Sequence, residues 1–486
     1  MNVNFIEVES ARIKGFSPKS IFAFDKETII TAEEVYKRVA EVSIILKEYG
    51  IKKNDYVATL SENNLDFIIL VLALWKLNAV IVPLNLRLLG KELNQIISST
   101  GCKFALVHKK IKQKINSSPV ISFPFKDKSI STKKVKSNKK SPSQTALVIF
   151  TSGSTDKPKG VVLTFNNLLQ SALIGNKILK HSNKDRWLAS LPFYHIGGFS
   201  IIFRSLIFGT PLILPDSLSN NDLILSLGKY NPTLASLVPT QLRRMLEAGC
   251  NPNKELRNVL LGGGFTDKQL VLSALKKGWR ISKVYGSTET SSFISIINHK
   301  ELRKRPASSG KAILPNKILI VDKSGNPSGK NISGEIAVAS PAVMKYYLNN
   351  REETEKYLSN NTYYTGDIGY LDNEGHLFVE ARRSDLIVSG GENINPIEVE
   401  NKISKHPHVI EVCVIGINDK EWGETAAAVI VTKSGKGFSL EILKDFLRNK
   451  LPGYKIPKKI FFLDSLPKNE LGKPLRVKIK EMIIKM

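Results

Sequence analysis

Short β-branched runs alternate with segments of helix-spaced apolar residues up to about residue 283, and this alternation constrains the fold more than any other feature. A helix is predicted to start at residues 31–34, where TAEE has capping-box spacing and apolar residues recur every three or four positions. Strands are predicted at 55–60 and 80–84, with a second helix at 64–77 between them. Strands that alternate with helices of this length favour an α/β fold with parallel sheets.

The length of the chain and a break in its pattern predict two domains. The chain has 486 residues, which is more than one compact core usually holds. Smaller α/β units start afresh after the polar stretch EARRSD at 380–385. We therefore expect a large N-terminal domain over residues 1–382, built from doubly wound α/β subdomains, and a smaller C-terminal α/β domain over residues 383–486.

The charge balance is strongly basic, with 71 Lys and Arg against 44 Asp and Glu and a formal net charge of +27. Nucleic acid is one class of partner for such a chain. However, the lysines are scattered and no nucleic-acid-binding signature is present, so we expect anionic small molecules instead. The lysine-rich segment 109–140, which contains serines and prolines, is expected to be a mobile surface excursion.

The sequence also indicates a cytoplasmic location. Its three widely spaced cysteines fit a reducing compartment and have no metal-ligand spacing. Residues 1–16 lack the apolar core of a signal peptide. The longest apolar run, 67–75, is too short to span a bilayer, so we expect no membrane span.

A loop of small hydroxyl residues, glycine and lysine follows an apolar, strand-like run at residues 150–160, with the sequence FTSGSTDKPKG. Short side chains let hydroxyls and backbone N–H groups surround phosphate oxygens, and a nearby ammonium offsets the charge. It is not a Walker loop, because its lysine precedes a glycine and a β-branched run. Considered alone, it is equally well an ordinary polar turn.

Further polar stretches suit a nucleotide. Residues 285–290, YGSTET, follow a strand-like segment and should lie at the carboxyl end of a strand, where α/β sheets bind ligands. Tyr285 offers a flat face for a purine, and Glu289 a hard oxygen ligand for Mg²⁺. The glycines at 262–264 form a close-approach turn or only a tight bend. Asp367, just before a predicted hairpin, is placed either to accept the ribose hydroxyls or to cap a turn.

In this order, the motifs resemble those of the acyl-adenylate-forming superfamily, which includes acyl-CoA synthetases, luciferases and the adenylation domains of peptide synthetases. The resemblance covers nearly the whole chain and implies the adenylate-forming enzyme fold. Members activate a carboxylic acid with ATP to an acyl-AMP and pyrophosphate, and most then pass the acyl group to a thiol. It therefore implies a small carboxylic acid, ATP, Mg²⁺ and coenzyme A as ligands. The stretches that carry it are TSGSTDKPKG, PFYHIGG, LGGG, YGSTE, YTGD, RRSDLIVSGGENINPIEVE and LPKNELGKPLR.

The resemblance implies how ATP is held. An anionic carboxylate must reach a phosphorus atom that anionic oxygens shield, so positive charge and hydrogen bonds must be aimed at the transition state. By resemblance, Thr288 contacts the α-phosphate region and Glu289 binds Mg²⁺. The other residues implied are Thr151, Ser152, Gly153, Ser154, Thr155 and Lys159 for the β and γ phosphates, Tyr285, Gly286, Gly263 and Gly264 for adenine, and Asp367 and Arg382 for ribose.

The resemblance also implies a domain movement. Lys473 is the expected catalytic cation, placed between the carboxylate and the α-phosphate. Because it lies on the small domain, that domain must close over the large one for adenylation. It then rotates, withdrawing the lysine and bringing Gly390 and Gly391 against the pantetheine arm of CoA. Two positions depart from the family pattern: Asp156 replaces the usual glycine in the phosphate loop, and Ser384 stands at the hinge, which is usually Asp or Lys.

Within the superfamily, residues 192–200, 202–206 and 236–242 are most similar to o-succinylbenzoate–CoA ligases, which serve menaquinone biosynthesis. That acid is an aromatic dicarboxylate. Arg204 is the candidate donor to the carboxylate that is not activated, since guanidinium matches carboxylate geometry, and the alternative is a helix-surface arginine. His195 is expected to act catalytically beside the reacting carboxylate. Phe199 and Phe293 are expected in the ring pocket or, equally, in the core.

Several alternatives stay open at this point. A CoA ligase for another aromatic acid or a fatty acid would share every nucleotide motif and differ only in the acid pocket. An enzyme that loads a carrier protein is a further alternative. A non-catalytic nucleotide- or nucleic-acid-binding protein is the alternative from another class, although Lys473, Glu289 and Asp367 argue against it. The sequence also leaves a homo-oligomer open.

Overall fold

We describe a computed structural model, covering residues 15–112, 115–125, 141–151, 158–264, 266, 268–322, 324–381, 387–432, 438–467, 474 and 476–485. The strands are β1 Ile21–Asp25, β2 Thr28–Thr31, β3 Tyr56–Leu60, β4 Val80–Pro83, β5 Phe104–His108, β6 Val120–Phe123, β7 Thr145–Thr151, β8 Lys159–Thr164, β9 Trp187–Leu188, β10 Leu212–Leu214, β11 Leu234–Leu237, β12 Asn258–Leu261, β13 Ile281–Ser287, β14 Ser292–Ile297, β15 Lys311–Ala312, β16 Lys317–Val321, β17 Gly334–Ala339, β18 Tyr346–Tyr347, β19 Leu358–Ser359, β20 Thr362–Leu371, β21 Leu377–Ala381, β22 Ile387–Ser389, β23 Glu392–Ile394, β24 Val409–Asp419, β25 Gly423–Thr432 and β26 Lys459–Phe462.

The α-helices are α1 Ala32–Glu48, α2 Leu65–Lys76, α3 Gly90–Thr100, α4 Phe165–Leu179, α5 Ile196–Phe208, α6 Asn220–Tyr230, α7 Pro239–Glu247, α8 Lys268–Lys276, α9 His299–Leu302, α10 Arg351–Tyr357, α11 Pro396–Ile403, α12 Leu440–Leu447 and α13 Arg476–Lys485. Short 3-10 helices cover Thr288–Thr290 and Gly453–Lys455. Within these described ranges, no helix combines the length and the apolar composition that a bilayer crossing requires.

Two mixed sheets form most of the chain before residue 382. One has the order β6-β5-β3-β4-β7-β8-β18, and the other β2-β1-β10-β9-β11-β12-β13-β14-β15. A smaller antiparallel sheet has the order β16-β17-β20-β19, with β21 beside β20. The last sheet of the chain has the order β23-β22-β25-β24, with β26 beside β25. The α/β prediction is confirmed, but the two large sheets are not purely parallel, because β2, β8, β14, β15 and β18 pair in antiparallel fashion.

The two predicted N-terminal helices form at the predicted positions. Thr31 caps α1, and its backbone N–H donates to Glu34 Oε2 over 2.6 Å, which completes the capping box. Asn64 caps α2 by accepting the backbone N–H of Phe67 over 2.8 Å. Helix α2 is the longest apolar run of the sequence, and it is buried on nearly all sides, as a helix without a polar face must be.

One local expectation is wrong. The basic segment 109–140 contains β6, which pairs in parallel with β5 and buries Ile121 and Phe123, so part of it belongs to the sheet. The 285–290 motif lies at the carboxyl end of a strand, as expected, but its YGS part is still inside that strand. It continues β13 as far as Ser287 and pairs with β14, and only the following Thr288–Thr290 forms a 3-10 turn.

Candidate active site

A cavity of about 370 Å³ opens where β11, β12 and β13 end, and most of the described candidates line it. Parallel strands bring their carboxyl ends to one edge of a sheet, which places these residues together. Lys159, Gly264 and Phe199 lie away from the lining, although sequence reasoning grouped them with it. The candidates in the lining are Thr151, His195, Arg204, Gly263, Tyr285, Gly286, Thr288, Glu289, Phe293, Asp367, Gly390 and Gly391.

The adenine and ribose candidates are bonded to each other. The hydroxyl of Tyr285 donates to Asp367 Oδ2 over 2.7 Å, so the aromatic ring and the carboxylate are fixed as one unit. Gly286 permits the close pairing behind them, since a Cβ on it would lie 2.1 Å from the carbonyl oxygen of Ser292. This wall offers a flat ring beside an acceptor, which suits a nucleoside.

Glu289, the expected Mg²⁺ ligand, is 3% exposed and lies on the cavity wall. Its Oε1 accepts the hydroxyl of Tyr347 over 2.8 Å, and its backbone carbonyl accepts the N–H of Met344 over 2.7 Å. In the described part of the chain, no three acidic, histidine or cysteine side chains group as a metal cage would require. A single fixed carboxylate fits Mg²⁺ that phosphates and water hold on its other sides.

Lys159, expected at the β and γ phosphates, is buried at the start of β8. Its ammonium forms an ion pair with Glu353 of α10 and lies near the rings of Tyr347 and Tyr357. Its partner is 194 residues away in sequence, and nothing in the sequence analysis indicated Glu353.

The cavity lining includes a buried cation, the candidate acid ligand Arg204. Arg204 is 2% exposed, and its Nη1 donates to Ser200 Oγ over 3.0 Å. Its guanidinium carbon lies 4.6 Å from the ring centroid of Phe293, which lines the cavity with it. Burial lowers the pKa of Arg204 to about 9, so the side chain is still a cation at neutral pH. Within the described residues, its Nε and Nη2 have no hydrogen-bond partner. The helix-surface alternative is therefore wrong for this arginine.

The space for Phe293 and Arg204 depends on a glycine in the middle of α4. A Cβ on Gly175 would lie 2.9 Å from Cζ of Phe293 and 3.7 Å from Nε of Arg204. A glycine inside a helix costs about 1 kcal/mol relative to alanine, so packing rather than helix stability accounts for it. Phe199 takes the other position that the sequence allowed: it is fully buried and packs against Trp75 in the core, with ring centroids 5.9 Å apart.

The C-terminal part of the chain contributes Glu392 to the site. Its carboxylate lies 3.4 Å from Nε2 of His195, accepts the Nδ2 of Asn85 over 2.9 Å and lies 3.7 Å from Nη1 of Arg87. Burial by itself would raise the pKa of Glu392, but His195, Arg87 and Asn85 together outweigh burial and hold it below the ordinary value. His195, expected beside the reacting carboxylate, thus has a partner that sequence analysis did not assign.

A tryptophan at the cavity mouth was also missed. Trp422 lies between two cations, with the Arg244 guanidinium 4.5 Å and the Lys458 ammonium 4.0 Å from its ring. Its ring lies close to Gly390, where a Cβ would be 2.6 Å from Trp422 Cε3. The only sequence signal was an isolated tryptophan in a charged stretch. Six residues singled out by the sequence lie outside the described part of the chain, together with Asp156 and Ser384: Ser152, Gly153, Ser154, Thr155, Arg382 and Lys473.

Comparison with known proteins identifies relatives over nearly the whole chain. The family model described as AMP-binding enzyme matches residues 11–348, and the model for the AMP-binding enzyme C-terminal domain matches residues 398–473. The 2-succinylbenzoate--CoA ligase of Listeria innocua is 36% identical over 452 residues, which cover 93% of this chain and 94% of that protein.

Two solved structures of one protein, the o-succinylbenzoate CoA synthetase (MenE) of Bacillus subtilis, resemble this chain to different degrees. A double mutant bound with the product analogue OSB-NCoA gives a TM-score of 0.91, with 33% identity and coverage of 98% of both chains. The complex with ATP and magnesium ion gives 0.74, with 33% identity, 98% of this chain and 99% of that one. Since sequence and coverage are nearly the same, the difference indicates that this chain has the arrangement of the product-analogue complex.

Proposed function

Since this chain belongs to the AMP-binding enzyme family, we propose that it is an ATP-dependent ligase that converts o-succinylbenzoate into its CoA thioester. A carboxylate oxygen of the acid bonds to the α-phosphorus of ATP, and pyrophosphate leaves. The CoA sulfur then bonds to the carbonyl carbon of the acyl-AMP, and AMP leaves. The acid is an intermediate of menaquinone biosynthesis, and the enzyme acts there.

The buried guanidinium of Arg204 is the observation that carries this choice of acid. A buried cation is costly unless an anion meets it. Within the described residues, no carboxylate forms an ion pair with it, so the second carboxylate of the acid is the partner we assign. A fatty acid or a monocarboxylic aromatic acid would leave this charge uncompensated. Phe293, whose ring stacks on the guanidinium, is the residue we assign to cover the aromatic ring of the acid.

The chain's own residues supply distinct parts of the first step. We assign Tyr285 and Asp367 to the nucleoside, because they form one bonded unit on the cavity wall. Thr288 and Glu289 face the phosphates, where Mg²⁺ held by Glu289 would neutralise charge on the leaving pyrophosphate. Thr151 lies at the mouth of the phosphate loop. Lys473 and Arg382 keep the roles predicted from sequence.

The second step, thioester formation, uses the arrangement of the N- and C-terminal parts that this structure has. Gly390 and Gly391 lie on the wall beside His195, where the pantetheine thiol must arrive. We retain the domain boundary at 382/383, which is supported because β21 ends at Ala381 in one sheet and β22 starts at Ile387 in another. We also propose a cytoplasmic location, where ATP and CoA are available.

The test is a comparison of two acids that differ by one carboxylate. AMP formation and thioester mass are measured with o-succinylbenzoate and with 4-oxo-4-phenylbutanoate, which lacks the ring carboxylate. We expect the wild type to prefer o-succinylbenzoate, and Arg204→Met to lower its kcat/KM for that acid about 100-fold, as loss of one partner of a buried charge pair does. The same variant should change little with the monocarboxylate.

Arg448→Met removes an exposed arginine and serves as the matched control, since its side chain is 74% exposed. It should match the wild type with both acids. A wild type that prefers the monocarboxylate or a long-chain fatty acid would move the assignment to another acyl-CoA synthetase.

A further inference from the structure

We propose that Glu353 positions the phosphate loop by holding Lys159, and that Lys159 acts through this ion pair rather than by touching the triphosphate. Both are then positioning residues for adenylation. The inference rests on the proposed function, because it assigns a role in the ATP-consuming half of that reaction.

The surroundings of Lys159 support a fixed internal cation. The residue is 3% exposed and does not line the cavity. Its Nζ pairs with Oε2 of Glu353 and lies 5.0 Å and 5.5 Å from the ring centroids of Tyr357 and Tyr347. A carboxylate and two aromatic faces already occupy the neighbourhood of this ammonium, and each stabilises it there.

The pair joins the end of the phosphate loop to α10. Lys159 is the first residue of β8, directly after the loop. Glu353 lies in the first turn of α10, where its backbone N–H donates to Asn350 Oδ1 over 3.1 Å. The chain between them is tied to the same strand, since the N–H of Leu348 donates to the carbonyl of Gly160 over 2.7 Å. Glu353 therefore holds the first residue of β8, which follows the loop in sequence.

The same segment reaches the expected Mg²⁺ ligand. Tyr347, which pairs with Val161 in β8, donates its hydroxyl to Glu289 Oε1 over 2.8 Å. The N–H of Met344 donates to the Glu289 carbonyl over 2.7 Å. Residues 344–353 thus contact both Glu289 and the start of β8, the strand that follows the phosphate loop in sequence. All of these contacts lie on the nucleotide side of the cavity.

The test separates the two half-reactions. In Glu353→Gln, a buried ammonium loses its charge partner, and the start of β8 is no longer held. We expect kcat/KM for MgATP in ATP–pyrophosphate exchange to fall about 10- to 100-fold, as a small misplacement of a binding group does. Thioester formation from preformed acyl-adenylate and CoA should stay within about twofold of the wild type, because it uses no triphosphate.

Glu355→Gln is the matched control. It makes the same chemical change on the same helix, but Glu355 pairs with Arg351 on the surface, where the two side chains are 63% and 90% exposed. Surface pairs contribute little, so both half-reactions should match the wild type.

Two results would overturn the inference. An exchange rate in Glu353→Gln equal to or above that of the wild type would mean that the lysine is released to bind ATP directly. A further loss when Lys159→Met is added to Glu353→Gln would mean that Lys159 has a role beyond the pair, whereas we expect the double variant to equal the single one. If the wild type accepts a different acid, the exchange is run with that acid, so the proposed function can fail without deciding this test.

Discussion

The nucleotide wall and the acyl-transfer wall of the cavity are built in different ways. On the nucleotide wall, Tyr285 is bonded to Asp367 and Glu289 to Tyr347, all within the large N-terminal part. On the opposite wall, the contacts join the N- and C-terminal parts of the chain. The carboxylate of Glu392, from the C-terminal part, lies 3.4 Å from His195 Nε2. Under the proposed function, the first wall, which we call the permanent wall, lies within the N-terminal part, and the second, the docked wall, needs the C-terminal part in place.

Several of the cross-contacts are ionic, as the proposed separation of the two parts would favour. Besides Glu392, Lys455 pairs with Glu398 of its own domain over 2.8 Å and lies 3.5 Å from Glu92 of α3. Charged contacts regain water when they part, whereas an apolar interface of the same size would resist opening. The difference teaches that the wall proposed for ATP is held by contacts within the N-terminal part, whereas the wall proposed for acyl transfer needs residues from both parts.

The largest expected effect tests the permanent wall. Glu289→Gln keeps the shape but removes the charge that would hold Mg²⁺, so adenylation should fall about 100- to 1000-fold. Thioester formation from preformed acyl-adenylate should be nearly unchanged. Both rates are measured separately, with Glu301→Gln on exposed α9 as control. Equal loss in both half-reactions would contradict the division into two walls.

The next effect tests the docked wall. Glu392→Gln removes the carboxylate charge that faces His195 Nε2 over 3.4 Å and Arg87 Nη1 over 3.7 Å. We expect thioester formation from acyl-adenylate to fall about 10- to 100-fold, with adenylation within about threefold. Single-turnover rates for each step decide this, and Glu441→Gln on the exposed face of α12 is the control. A larger effect on adenylation would reverse the assignment.

A stability measurement tests the region of the N-terminal part around Arg204, which neither wall includes. Burial, and then the charge of Arg204, lower the pKa of His181 to about 3, and its Nδ1 lies 2.8 Å from Thr210 Oγ1. The folded state keeps the imidazole neutral, so this stability is full above the ordinary pKa of 6.5 and is lost as pH falls towards 3. Between pH 7 and 5, His181 should account for a loss of about 2 kcal/mol in the free energy of unfolding.

Chemical denaturation of the wild type and of His181→Asn at both pH values measures that share. Between pH 7 and 5, the variant should lose about 2 kcal/mol less of its free energy of unfolding than the wild type does. Identical slopes would mean that His181 is not what makes the region behind the acid pocket acid-sensitive.

The smallest effect concerns the rim of the docked wall. Arg244 Nη2 and Glu421 Oε1 lie 3.3 Å apart, but their side chains are 31% and 63% exposed. Such a pair is worth about 0 to 1 kcal/mol, so Glu421→Gln should slow thioester formation less than about fivefold. Because salt screens exposed charges, the difference should vanish at high ionic strength. A loss that persists in high salt would show that Glu421 acts in some other way.

Sequence reasoning located the permanent wall because its residues come in local motifs. Tyr285 and Glu289 belong to a motif that follows the apolar run 281–284, whose strand ends at one edge of a sheet, and Asp367 belongs to the YTGD motif, which lies inside β20. The capping residues Thr31 and Asn64 were equally local signals, and both helices begin where predicted.

The contacts that hold those motifs were not predictable in the same way. Helix α10 has the sequence REETEKY and no buried side chain, so Glu353 resembles any other surface acid. Its partner lies 194 residues earlier, and only the fold brings them together. Phe199 and Phe293 were likewise equivalent in sequence, since both stand in apolar stretches. The packing of α4 and α5 decides which of them meets the cavity.

Gly175 has a consequence for enzyme engineering. It has no side chain and lies on α4 next to Phe293, so a Cβ added there would lie 2.9 Å from Cζ of that ring. The ring, which lines the cavity, would have to shift. Under the proposed function, we expect alanine or serine at this position to alter the space for the acid, although Gly175 itself is not part of the lining.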